Sequence, residues 1–251
     1  ALYPSYGKGQ ARKGEQLSFL SSKTSAREVD QGATIETVVI NTPQSLERLC
    51  KLLGEAQVIS FDTETTSTDQ MRADLVGISL AVEERQGFYI PVGHRADLGE
   101  QLPLEIVLDA LRVPMTNPDI NKVGHNLKYD FVMLARNGIR VSPLAFDTMI
   151  AEWLINPASH NLGLKSLAWV RLDFKMTEIE ALIGKGKNQR SMSDVPIVEA
   201  AAYAVADAVA VLKLMPVLTK ELEATHATKL LHEMEMPLVS VLADMEMAGI
   251  S

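Results

Sequence analysis

The segment VEAAAYAVADAVAVLKLMPVL, from Val198 to Leu218, lies within a helical pattern that runs from Pro196 to about Thr225 and is Ala, Val and Leu on nearly every side. A helix that is apolar all round is a buried helix, so the rest of the chain must be able to cover it. Its isolated carboxylate, Asp207, is then out of place. Burying it costs roughly several kcal/mol unless it is paired or bound to a metal. The neighbouring sequence offers no positive charge until Lys213. Two readings stay open at this point: a structural acid that caps something or meets an arginine across the core, and a functional carboxylate.

The covering elements are legible from periodicity. TVVIN (37–41) reads as a strand, and NTPQSLERLCKLLGEA as a capped helix with Leu46, Leu49, Leu52 and Leu53 at helical spacing. VISFDTETT is a strand, and DLVGISLAVE and GFYIPV, joined by the polar turn EERQ, form a hairpin. PLEIVLDALRVP is a helix with Pro at its start. NKVGHN is a short strand entering the helix HNLKYDFVMLARNG, which stops at Gly138. FDTMIAEWLIN, LKSLAWVRL and the late KLLHEMEMPLVSVLADMEMAGI are helices, and GKGKNQRSMSDV is a loop. Residues 1–34 are rich in Ser, Gly, Lys and Gln and read as a linker or tail. Strands first and helices later, with one βα crossover, predict an α/β domain on a mixed sheet.

The polar residues of these elements fall into three groups. Asp62 and Glu64 are two apart on a strand and project to one face. Asn126 and Asp130, and likewise Tyr203 and Asp207, are four apart on helices and share a face in each case. Four carboxylates with no His or Cys among them favour hard divalent cations, Mg²⁺ or Mn²⁺. Without metal, such crowding should raise their pKa values. Two cations roughly 3.5–4 Å apart, bridged by carboxylates, suit in-line phosphodiester displacement.

Composition limits the alternatives. A 251-residue chain that is 47% apolar can build a full core. Cys50, the single cysteine, excludes an intramolecular disulfide and suits a reducing cytosol. No run of about 18 apolar residues is evident, so no membrane span is expected. The net charge of −8 argues against an extended nucleic-acid grip. The small basic patches are Arg171 and Lys175, then Lys185, Lys187 and Arg190. His94 and His160 read as solvent or loop residues, and Trp153 and Trp169 as core.

Taken in order, DTET (62–65), NLKYD (126–130) and YAVAD (203–207) resemble the three motifs of the DEDDy 3′–5′ exonucleases. DLVGISLAVE, FYIPVGH, AFDTMIAEWLINP, GKGKNQ and EMPLVSVLADMEMAGI extend the resemblance to the proofreading domain of bacterial family A polymerases, of the DNA polymerase I type. The resemblance implies a ribonuclease H-like (DnaQ-like) α/β fold, a central mixed β-sheet flanked by α-helices. It implies an exonuclease domain over 35–225, and a helix over 226–251 leading into a polymerase domain in cis that this chain lacks. The implied activity is removal of nucleotides from a single-stranded DNA 3′ end with two divalent cations, in the bacterial cytoplasm at the nucleoid, with no membrane partner.

By the same resemblance, Asp62, Glu64, Asp130 and Asp207 would be the metal ligands and Tyr203 would orient the attacking water. Asn126, Thr63, Lys185, Lys187 and Asn188 would meet the substrate. Where better-known relatives carry an arginine near the substrate, the segment SHNLGLKSLA offers only His160, Asn161 and Lys165.

Overall fold

The apolar run that precedes the paired acids forms β2 (Val58–Thr65), an interior strand of a six-stranded sheet. On one side β2 pairs antiparallel with β3 (Leu75–Ala81), which is the first arm of the expected hairpin with β4 (Gln86–Pro91). β4 in turn runs parallel to β1 (Glu36–Val39). On its other side β2 runs parallel to β5 (Asn121–Gly124), and β5 to β6 (Leu144–Asp147). The sheet order β1–β4–β3–β2–β5–β6 is therefore mixed. All seven residues of β3 are buried, as befits a strand covered on both faces. The computed structural model describes residues 34–250, so the tail expected over 1–34 lies, but for its last residue, outside the described residues.

The helices are α1 (Pro43–Gly54), α2 (Leu104–Thr116), α3 (Leu127–Arg136), α4 (Thr148–Ile155), α5 (Leu164–Leu172), α6 (Ile179–Ile183) and α7 (Ile197–Ala224). After these come α8 (Thr228–Leu230), a π-helical stretch (Leu231–Glu235) and α9 (Met236–Met247). The Thr42 hydroxyl accepts from Ser45 N–H at 3.2 Å and starts α1 with a capping box. Two elements were not expected. β6 occupies LAFD, which sequence periodicity assigns in part to the following helix, and α6 is too short to show a period.

α7 is the buried helix on which the fold turns. It packs on β1, β2, β3 and β4 and is covered further by α4 and α5. Ser60 Oγ, on β2, donates to the Ala208 carbonyl at 2.7 Å. That bond sets the height of α7 against the strand that bears Asp62 and Glu64. Contrary to the sequence expectation, α7 is long and apolar enough to cross a membrane, but 61% of its apolar window is buried inside this domain. It is a core helix.

Two other readings are corrected: His94 lies in a loop but not in solvent, and the two tryptophans are not core. His94 is buried; its Nδ1 donates to the Val195 carbonyl at 3.0 Å, so its Nε2 accepts from the Tyr89 hydroxyl at 2.7 Å. Trp153 and Trp169 are 46% and 54% exposed. Ala151, Leu167 and Ala168 take the inward faces of α4 and α5, which leaves the indoles on the outer side. Arg171, named above in a small basic patch, is engaged within the domain. It donates to buried Glu152 at 2.7 Å and to Glu221 at 2.8 Å, tying α5 to α4 and α7.

Candidate active site

Strand parity puts Asp62 and Glu64 on one face of β2, and the Ser60–Ala208 bond brings Asp207 of α7 to the same place. Carboxylate oxygens of Asp62, Glu64 and Asp207 all lie within 4.8 Å of one another. Glu64 and Asp207 are buried and Asp62 partly so. An all-oxygen donor set of this size could hold a hard divalent cation.

Asp130 stands beside the trio rather than within it. One of its oxygens accepts from the Thr63 N–H at 2.8 Å and the Thr63 hydroxyl at 2.5 Å. Its charge still reaches the cluster, where it raises the pKa of Asp62. The Thr63 hydroxyl, named from sequence as a substrate contact, is thus engaged in fixing Asp130.

The turn that carries Asn126 and Asp130 is built with care. Asn126 adopts the left-handed conformation (φ 56°) just before α3, a region that Asn tolerates better than most residues. A Cβ on Gly124 would overlap the Leu127 side chain. Buried Asp147, at the end of β6, accepts from the N–H groups of Leu127 (2.7 Å), Asn126 (3.1 Å), Met149 (2.8 Å) and Ile150 (3.3 Å). One carboxylate therefore caps two helix N-termini. Sequence reasoning missed this residue, although an Asp between a strand and a helix is a recognisable capping signal.

Asn126 is exposed and lines a groove of about 810 Å³ with Glu64, Thr65, Tyr129, Ile179 and Arg190. The GKGKNQ loop contributes Gly186 and Gln189 to the groove wall. Lys185 is exposed, 3.7 Å from Glu180, and Lys187 is exposed. Neither lysine is among the residues that line the groove. The Asn188 side chain lies outside what the structure describes.

Electrostatically the site is overcrowded with negative charge. Burial pushes every carboxyl upward: Glu64 to about 8, with the Asp207 charge adding to it, and Asp130 to about 7 against the Thr63 hydrogen bonds. Asp62 rises well above the usual range through burial and the charges of Asp130, Glu64 and Asp207. Asp207 rises by burial, opposed by Lys165. The Lys165 ammonium forms an ion pair with Asp207 and sits 4.1 Å from the centre of the Tyr203 ring. This is the counter-charge whose absence from the nearby sequence left Asp207 unexplained. Burial and the Asp207 charge push the Tyr203 phenol far above its ordinary range.

Residues 37–223 match the 3′–5′ exonuclease family model of the DNA polymerase A type. DNA polymerase I of Chloroflexus aurantiacus is 42% identical over 84% of this chain, and the match spans 22% of that relative. The chain therefore covers under a quarter of that relative's length. Among solved structures, Brucella melitensis NrnC superposes with a TM-score of 0.65 at 20% identity, covering 87% of this chain and 95% of its own; another NrnC structure holds Mg²⁺. Escherichia coli RNase D superposes at 0.61 and 20% identity over 83% of this chain and 51% of its own. These structural likenesses carry the fold: a mixed sheet with flanking helices of the DnaQ-like exonuclease type.

Proposed function

The chain belongs to the 3′–5′ exonuclease family of family A DNA polymerases, and on that premise we propose that it is a working proofreading nuclease. In this reading it removes nucleotides from the 3′ end of single-stranded or frayed DNA as part of a DNA polymerase I. The observation that carries the reading is the convergence of Asp62, Glu64 and Asp207 within 4.8 Å, with Asp130 anchored beside them. A domain kept only as a structural support would gain nothing from so costly a charge cluster.

Asp62, Glu64 and Asp207 are assigned as metal ligands, and Asp130 as the support for a second ion. When bound, the divalent cations supply a lowered pKa for the attacking water and charge stabilisation for the leaving oxygen. The Mg²⁺ in NrnC supports this assignment. Tyr203 is assigned to orient the water through its hydroxyl, because a phenol pushed above its ordinary range is no base near neutrality. Asn126, at the mouth of the groove, is assigned to the substrate near the scissile phosphate. Thr63, Lys185, Lys187 and Asn188 are secondary candidates: Thr63 through Asp130, the others by phosphate contact. A frayed end suits the groove, since a mismatched terminus unpairs at low cost.

The catalytic unit is assigned to 35–225. The helical run from Thr228 to Met247 carries Leu230, Met234, Leu238, Val241 and Met245 exposed at spacings of three and four, one apolar stripe. The stripe is assigned to the polymerase domain in cis. Work at a polymerase places the protein in the bacterial cytoplasm, at the nucleoid.

The test is a labelled single-stranded DNA oligonucleotide with Mg²⁺ or Mn²⁺, then with EDTA, beside an RNA of the same sequence. Metal-dependent shortening of the DNA from the 3′ end is expected, and Asp207→Asn should abolish it. Absence of shortening would leave a structural module, and faster loss of RNA would point to an RNase D-like activity.

A further inference from the structure

Lys165 lies two residues into α5 from its N-cap, Gly163. It is largely withdrawn from water, with 16% side-chain exposure against 10% for its partner Asp207. A lysine is rarely buried to this degree without a partner that holds it. Here the partner is a carboxylate assigned to a metal, and the ammonium also rests on the face of Tyr203. Helix α5 is clamped in position by Arg171, through Glu152 and Glu221. The helix is thus tied in place near its C-terminal end, so a change of position at Lys165 would be one of its side chain alone. There is room for it to move: Lys165 also borders a pocket of about 360 Å³ with Trp169, Lys175, Met176 and Glu178.

We infer that Lys165 is a further active-site residue with two positions: it stands in for the cation at Asp207 in the metal-free protein, and it serves the substrate phosphate in the working site. The inference rests on the metal-dependent nuclease reading given above. Charge balance carries it. Four carboxylates are neutralised by two divalent cations, and a phosphodiester then brings one further negative charge. The ammonium of Lys165 supplies the matching positive charge and is already at the cluster. It cannot stay in contact with Asp207 once a cation takes the same carboxylate, because like charges repel strongly in a site shielded from water. Displaced, it remains within a side-chain length of the reacting group. No bond is made or broken in this movement; it exchanges one ion pair for another.

The experiment compares wild type, Lys165→Met, Lys165→Gln and Lys165→Arg, with Asp207→Asn as the blank. Mn²⁺ binding is read from loss of the free-ion electron paramagnetic resonance signal. Folding is checked by thermal melting in saturating Mn²⁺. Removing the resident ammonium should tighten Mn²⁺ binding about tenfold, within the roughly 5–150-fold usual for coupled sites. The same variants should lose about tenfold in kcat/KM on single-stranded DNA at saturating Mn²⁺, with most of the loss recovered in Lys165→Arg. A merely structural lysine would tighten nothing. Unchanged or weaker Mn²⁺ binding in both neutral variants overturns the inference, and so does an unchanged kcat/KM. If wild type binds and cleaves while Lys165→Met matches it in both, only the role of Lys165 falls. If wild type shows no Asp207-dependent Mn²⁺ site, the nuclease reading falls and takes this inference with it.

Discussion

In a chelator, raising the pH from 6.5 to 8 should cost this protein about 1.6 kcal/mol of folding stability through Glu64 alone, and Glu64→Gln should cancel that loss. Glu64 is 8% exposed, and burial with the Asp207 charge moves its pKa from 4.5 to about 8. Throughout this window the unfolded chain has released the proton, while the folded protein holds it almost fully at pH 6.5 and half of the time at pH 8. The folded state therefore binds more protons, and stability falls as pH rises. One unit of such a difference is worth about 1.4 kcal/mol, and with half of the protons gone at the upper edge the window counts for about 1.2 units.

Asp130, at about 7, adds to the loss with the same sign. His94 and His125, both lowered by burial, act with the opposite sign and below the window. The difference between wild type and Glu64→Gln at each pH isolates the cluster. Urea denaturation followed by circular dichroism at three pH values in EDTA measures it. Mn²⁺ at about a hundred times its Kd should then restore about 2.7 kcal/mol at pH 8. A difference between the two proteins that stays flat, or that favours wild type as pH rises, would refute the electrostatic reasoning.

Three further outcomes are expected. Asp147→Ala removes the shared cap of α3 and α4 and should cost about 2–4 kcal/mol in urea denaturation. Because that turn carries Asn126 and Asp130, cleavage should fall further than stability accounts for, and Asp147→Asn should be milder. Arg171→Met leaves buried Glu152 without its partner and should cost about 3–5 kcal/mol, while pairing it with Glu152→Met should recover most of the loss in a thermal melt. Tyr203→Phe should slow cleavage by the same factor across pH 6–9, because the wild-type phenol stays protonated there; a pH-rate limb present in wild type and lost in the Phe variant would show the phenol ionising.

Much of the site was legible because its geometry is local. A period of two places Asp62 and Glu64 on one face, and a spacing of four does the same for Tyr203 with Asp207, whereas Asn126 lies before α3 in the left-handed conformation and shares no helix face with Asp130. The first two relations hold wherever the strand or helix ends up. The errors fell where neighbours decide. His94 does lie in a loop, but not in solvent, because Val195 and Tyr89 close around it. Trp153 and Trp169 looked like core because helical spacing does not say which side of an outer helix faces in. Arg171 read only as part of a small basic patch, and the sequence did not show that two carboxylates from other helices hold it.

The sequence alone established that α7 must be buried and that Asp207 would need a counter-charge there, since transfer free energy depends on residue type and not on partners. It could not say which cation would answer. That choice fell to Lys165, 42 residues away along the chain, and the capping of α3 fell to Asp147, 20 residues beyond Leu127. Ion pairs and hydrogen bonds act over a few ångströms of space, and distance along the chain says little about them once helices and strands have packed.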